Sequence, residues 1–136
     1  MKQKRFLYLI LPIITIILEI LPYGAVCNYA LPATDGSIGR FRELYSYFDL
    51  TPFGYANFTP LFTAICTCII LLLLFVYCIT GKSRTAITAK NILLISVFLS
   101  LCPLLFGIRY YSVVGGLITI SLVAEWILLY LNSKVN

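Results

Sequence analysis

Leu61 to Thr80 reads LFTAICTCIILLLLFVYCIT, about twenty residues without a charge, a proline or a glycine. A helix rising ~1.5 Å per residue turns that run into a rod of roughly 30 Å, the thickness of a bilayer's hydrocarbon core. Pro60 stands where a helix tolerates one at its start, and Gly81 followed by Lys82 supplies a stop and a charge that resists entering lipid. The run is expected to span a membrane. Composition agrees, because 61% of the 136 residues are hydrophobic and 11% are charged, whereas soluble domains are roughly a quarter charged. The partner implied for most of this surface is the lipid bilayer.

The rest of the chain divides around that span. Phe6 to Val26 is apolar apart from Glu19 and follows Lys2, Lys4 and Arg5. Its length, the interrupting Glu19 and the lack of a small-x-small site disfavour a cleavable signal peptide. Taken with the later apolar runs, residues 1–136 form a single transmembrane domain with spans at about 6–26, 61–80, 90–108 and 112–131. An outer loop then covers 27–60 and a cytoplasmic loop 81–89. Lys2, Lys4, Arg5, Lys82, Arg84, Lys90 and Lys134 fall in the two tails and the 81–91 stretch, seven against Arg40, Arg42 and Arg109 on the other side. Both termini are therefore expected in the cytoplasm. Within the outer loop, a 100° step places Ile38, Phe41, Leu44, Tyr45 and Phe48 on one arc, which predicts a short amphipathic helix. The expected fold is an all-α, antiparallel four-helix membrane bundle carrying that helix on its outer face.

Several chemistries are excluded or disfavoured. The net charge of +5 comes from cations at the ends of apolar runs rather than on one face, so no nucleic-acid partner is expected. The absence of histidine removes His-based metal sites and nucleophile pairs, and no cofactor is implied. The five cysteines Cys27, Cys66, Cys68, Cys78 and Cys102 include no CxxC and sit mostly inside apolar runs, where cysteine serves as a small buried hydrophobe.

Two sets of residues stand out. Glu19 and Glu125 lie inside expected spans, where an ionised carboxylate costs at least ~2.5–3.5 kcal/mol, so each should face the bundle interior and find a partner. Thr15 precedes Glu19 by one helical turn and Ser121 precedes Glu125 by one turn, which puts a hydroxyl on each acid's own face. Arg109 ends the third span on the same side as the nearer, outer end of Glu19's helix, and its long side chain can reach inward, so a Glu19–Arg109 pair is the specific expectation. Ser96, Ser100, Pro103 and Gly107 recur at 4, 3 and 4 spacing, and Gly115 and Gly116 open the fourth span; these small residues predict close helix packing. Trp126 and Tyr130 suit an aromatic belt.

Leu21-Pro-Tyr-Gly-Ala-Val26 and Tyr47-Phe-Asp-Leu-Thr-Pro-Phe-Gly-Tyr-Ala-Asn-Phe58 resemble segments of small, uncharacterised four-span membrane proteins of Gram-positive bacteria. The resemblance implies a bacterial plasma membrane and an aromatic cap over the bundle, and it brings no activity or substrate. The function expected from the residues is a non-enzymatic membrane component acting by helix–helix or partner contact, with itself or with another membrane protein. The alternatives are an oligomeric transporter or channel using Glu19 or Glu125, and a membrane thiol oxidoreductase, a class whose CxxC is missing here.

Overall fold

The computed structural model describes residues 6–32, 38–50 and 58–135. Lys2, Lys4 and Arg5 and most of the turn-rich 49–60 stretch lie outside the described residues, as does the side chain of Lys134.

The first apolar run forms a 3-10 turn, Leu7–Leu9, that leads into helix α1, Ile10–Ile20. Pro12 falls in the first turn of α1, where a missing N–H costs nothing. The helix stops where Pro22 forces it to: Leu21 has φ −62° and ψ 135°, the extended conformation imposed on a residue before proline. The helical part of this run therefore ends at Ile20, short of Val26. Helix α2 spans Thr59–Thr80 with Pro60 in its first turn, and Gly81 closes it at φ 70°, donating its N–H to the Tyr77 carbonyl at 2.8 Å. Nothing in Ser83 to Lys90 breaks a helix, so α3 begins at Ser83 and runs to Leu105, leaving Gly81-Lys82 as the connection. A 3-10 turn at Ile108–Tyr110 leads to α4, Val113–Val135.

The expected amphipathic helix is not a helix. Ile38–Tyr45 is a strand, β2, paired antiparallel with β1, Ala25–Pro32, in a register that sets Ala25 opposite Tyr45 and Pro32 opposite Ile38. The alternation that fits a strand is present in the same residues. Arg40 and Arg42 fall on one face of the ribbon with Asn28, while Phe41, Glu43 and Tyr45 fall on the other with Tyr29. The fold is helical with one small sheet.

The four helices form a closed ring in which each packs on its neighbour in sequence and α1 packs on α4. Short connections make α2 and α3, and α3 and α4, antiparallel. Contacts confirm the sense for α1 and α4, because Gly24, just past the end of α1, accepts a hydrogen bond from Ser112, just before α4. Buried positions recur at three- and four-residue steps, as in Ala89, Leu93, Ser96, Ser100 and Pro103 of α3. The apolar core comprises Ala64, Ile70, Leu74, Leu93, Ile118 and Leu122, with Ala89 at the opposite end.

Burial is inverted relative to a water-soluble bundle. Thr15, Glu19, Thr63, Thr67, Ser96 and Glu125 are buried, while Ile13, Ile17, Phe62, Leu72, Phe98 and Ile120 are exposed. Helices α2, α3 and the Val113–Leu131 part of α4 are long and apolar enough to cross a membrane; Leu7–Ile20 is apolar but shorter, about 20 Å of rod.

Candidate functional site

The end of α1 falls short of the end of α2, and one aromatic residue fills the difference. The chain leaves β2 at Tyr45, and Ser46-Tyr47-Phe48 turns back into the bundle, held by Asp49, whose carboxylate accepts from the Ser46 N–H at 2.8 Å. The Tyr47 N–H then donates to the Glu19 carbonyl at 2.9 Å, satisfying an acceptor that α1 leaves orphaned at its C-terminus. The ring of Tyr47 is 2% exposed and lies against Gly24, where a Cβ would come within 2.8 Å of Tyr47 Cδ1. Burial pushes the Tyr47 phenol well above the ordinary tyrosine range, with the Ser100 hydroxyl opposing part of the rise. The hairpin end of the bundle is thus plugged. The space left beside Gly24, Tyr47, Pro103 and Tyr111 is about 10 Å³, no more than one water.

Beneath the plug, polar side chains from all four helices converge. Tyr111 and Ser100 hydroxyls lie 2.6 and 2.5 Å from Thr119 Oγ1. One turn deeper, Thr67 donates to Glu19 Oε1 at 2.8 Å. Thr15 Oγ1 and Ser121 Oγ meet at 2.6 Å across the α1–α4 contact, and Glu125 follows one turn below Ser121. Because the helices are antiparallel and side chains lean toward their own N-terminus, Glu19 and Glu125 lean toward each other from either side of the Thr15–Ser121 bond.

This column is incompletely satisfied. Glu19 is 0% and Glu125 2% exposed, yet Glu19 Oε2, both carboxyl oxygens of Glu125 and Ser96 Oγ have no hydrogen-bond partner among the described residues. Each such atom costs on the order of 1–3 kcal/mol if left dry. Among the described residues no group of three His, Cys, Asp or Glu could hold a metal ion.

Arg109 does not join this column. It is exposed on the 3-10 turn at the hairpin end, while Thr67 supplies the hydrogen bond to Glu19. A neutral hydroxyl one helix away satisfies the acid without burying a guanidinium, which carries a larger desolvation cost. Of the residues expected to pack, Ser96, Ser100, Pro103 and Gly115 are buried. Gly107 is not a packing position, since its Cβ site is open; it has φ 119°, a backbone conformation that a side chain would strain. A Cβ on Gly116 would make ordinary contact with Tyr111, 3.6 Å away. At the opposite end, Trp126 stacks on Tyr130 at 5.4 Å and Lys90 sits 5.7 Å above the Tyr130 ring. No disulfide joins the five cysteines, and burial pushes the Cys27 thiol up from its ordinary value despite an opposing hydrogen bond with Tyr29.

No family model matches this chain, and no curated protein or solved structure is similar enough to it to supply a fold or an activity. The site is therefore read from its own geometry. Tyr47, Thr67 and Thr119 escape sequence reasoning, and Ser100 is legible only as a packing residue, because a lone hydroxyl in an apolar run is ordinary and only tertiary contact gives it a role in the column. A signal for Tyr47 does exist: the two stretches quoted for the resemblance contain Gly24 and Tyr47, which touch.

Proposed function

We propose that this protein is a four-span plasma-membrane protein, with both tails cytoplasmic, that takes up and releases a proton at the interior carboxyl pair Glu19 and Glu125. The observation that carries the reading is the set of three carboxyl oxygens and one hydroxyl buried without partners. A bundle held together by polar glue satisfies its polar atoms, and intramembrane acids mark ion or proton paths when they do not. The donor set contains only oxygen, which suits a proton, a water or a small hard cation rather than a transition metal. Protonation is the least costly way for either acid to remain inside lipid. Exchange between Glu19 and Glu125 runs past the Thr15–Ser121 hydroxyl pair, and Tyr47 closes the outer end.

The test is a reconstitution. Full-length protein in phosphatidylcholine vesicles enclosing a pH-sensitive dye receives an external acid pulse with the potential clamped. Acidification should exceed that of empty vesicles and fall to the empty-vesicle rate in Glu125→Gln, while Glu43→Gln in the exposed hairpin has no effect. Equal rates in protein-containing and empty vesicles, or undiminished flux in Glu125→Gln, would overturn the reading.

A second reading is a non-enzymatic component that acts by contact with its own copies or a membrane partner. It is favoured by the stripe Ile10, Ile13, Ile14, Ile17 and Ile20, all exposed on one side of the short α1. In that case the acids are structural, and Glu125→Gln shifts thermal stability with no flux in either protein.

A further inference from the structure

We propose that the hairpin end of the molecule carries a binding site for a phosphate group, independent of the interior carboxyls. The β-ribbon and the Ile108–Tyr110 turn enclose a cavity of about 570 Å³ lined by Asn28, Tyr29, Arg40, Arg42, Arg109 and Tyr110, among others. That volume lies within the range of small-ligand sites, ~300–1,000 Å³.

Its charge is one-sided for a structural reason. The register puts Arg40 and Arg42 on the same ribbon face as Asn28. Glu43, one residue on, is carried to the opposite face, where it accepts from the Tyr45 hydroxyl at 2.5 Å, and Tyr45 in turn meets the Tyr29 hydroxyl at 2.8 Å. Asp49 is engaged elsewhere, accepting from the Ser46 N–H. Among the described residues no acidic side chain lines the cavity. Arg109 arrives from a different element, so three guanidinium groups from two elements face one space with no carboxylate among them. Arg42 is held only loosely by this fold, its Nη2 lying 3.4 Å from the Tyr111 carbonyl.

Three like charges gathered without a counterion repel one another, and an anion relieves that repulsion. Guanidinium groups bind phosphate oxygens in pairs of parallel hydrogen bonds, and Asn28 and Tyr110 add neutral hydrogen-bonding side chains. The wide mouth and the position above an apolar helix ring suit either a phospholipid headgroup or a free phosphate.

The experiment follows melting of the full-length protein in a neutral detergent. One arm adds inorganic phosphate against potassium chloride of equal ionic strength. The other adds phosphatidylglycerol against phosphatidylcholine. Arg40→Gln/Arg109→Gln removes two of the three cations at exposed positions, and Lys82→Gln/Arg84→Gln, at the opposite end, is the control for general charge. At least one anion should raise the melting temperature of the wild type and the control, with apparent affinity falling roughly tenfold to a hundredfold in the arginine variant. Stabilisation by phosphate identifies a free anion, and stabilisation by phosphatidylglycerol alone identifies a headgroup. If neither anion stabilises the wild type, or both variants lose affinity equally, the proposal is overturned.

Discussion

Single atoms decide the fit of the plug. Gly24 is held against Tyr47 so closely that an added Cβ would sit 2.8 and 2.9 Å from two ring carbons. Tyr47 has no room to yield, because its own N–H is fixed to the Glu19 carbonyl at 2.9 Å and its hydroxyl side faces Gly115 and Ser112. Overpacking of this kind costs typically 1–3 kcal/mol. Gly24→Ala should therefore lower the melting temperature of the detergent-solubilised protein, and Tyr47→Leu in the same chain should recover part of the loss. Unchanged melting in Gly24→Ala would show that the ring is not pinned. Sequence alone exposes Glu19 and Glu125 because lipid makes a carboxyl expensive anywhere in an apolar run. It does not expose Thr67, whose side chain costs little until another helix presents it with a partner.

Helices and strands were not equally legible for a definable reason. The helices declare themselves through length, since only a bilayer requires about twenty apolar residues in succession, and through Pro60, Gly81 and Pro22, which set ends by local sterics. The hairpin is concealed because Ile38, Phe41, Leu44, Tyr45 and Phe48 satisfy a 100° arc, although in the strand Phe41 and Tyr45 fall on one face and Ile38 and Leu44 on the other. What tips the balance is outside that window: β1 provides a partner in register, and the sequence between the strands contains Asp35-Gly36, a pair favoured in hairpin connections. Between α1 and α4 the decisive contact is Thr15 with Ser121 at 2.6 Å, buried in the bundle. Hydrogen bonds between membrane helices average about 0.6 kcal/mol and reach about 1.7. A cycle of Thr15→Val, Ser121→Ala and the double variant, read by denaturant titration in mixed micelles, should return a coupling of about that size. Strictly additive losses would mean that the two hydroxyls do not hold the helices together.

For the whole molecule, the inversion of burial and the arrangement of its ends bear on the proposed topology. A ring with Ile, Leu and Phe outward and Thr, Ser and Glu inward is stable only where its surroundings are apolar. Three helices are long enough to cross such a layer. The fourth falls about 10 Å short of a ~30 Å hydrocarbon core, and the deficit is filled by Leu21–Gly24 and the inserted Tyr47, whose backbone groups bond back to Glu19 and Tyr45 instead of facing lipid. In the proposed four-span topology α1 is the remaining crossing, which gives an even number of passes and tails on one face. In that topology the excess of Lys and Arg on the tail side puts that face in the cytoplasm and leaves Arg40, Arg42 and Arg109 as outer exceptions gathered at one cavity. The consequence is checked with two exposed positions in a chain whose native cysteines are replaced. Glu43→Cys, on the hairpin, should react with a membrane-impermeant maleimide in intact cells, and Lys82→Cys, between α2 and α3, should react only after the membrane is opened. Labelling of both in intact cells would remove the α2 crossing. The reverse pattern would invert the molecule and place the arginine cavity, with whatever anion it holds, in the cytoplasm.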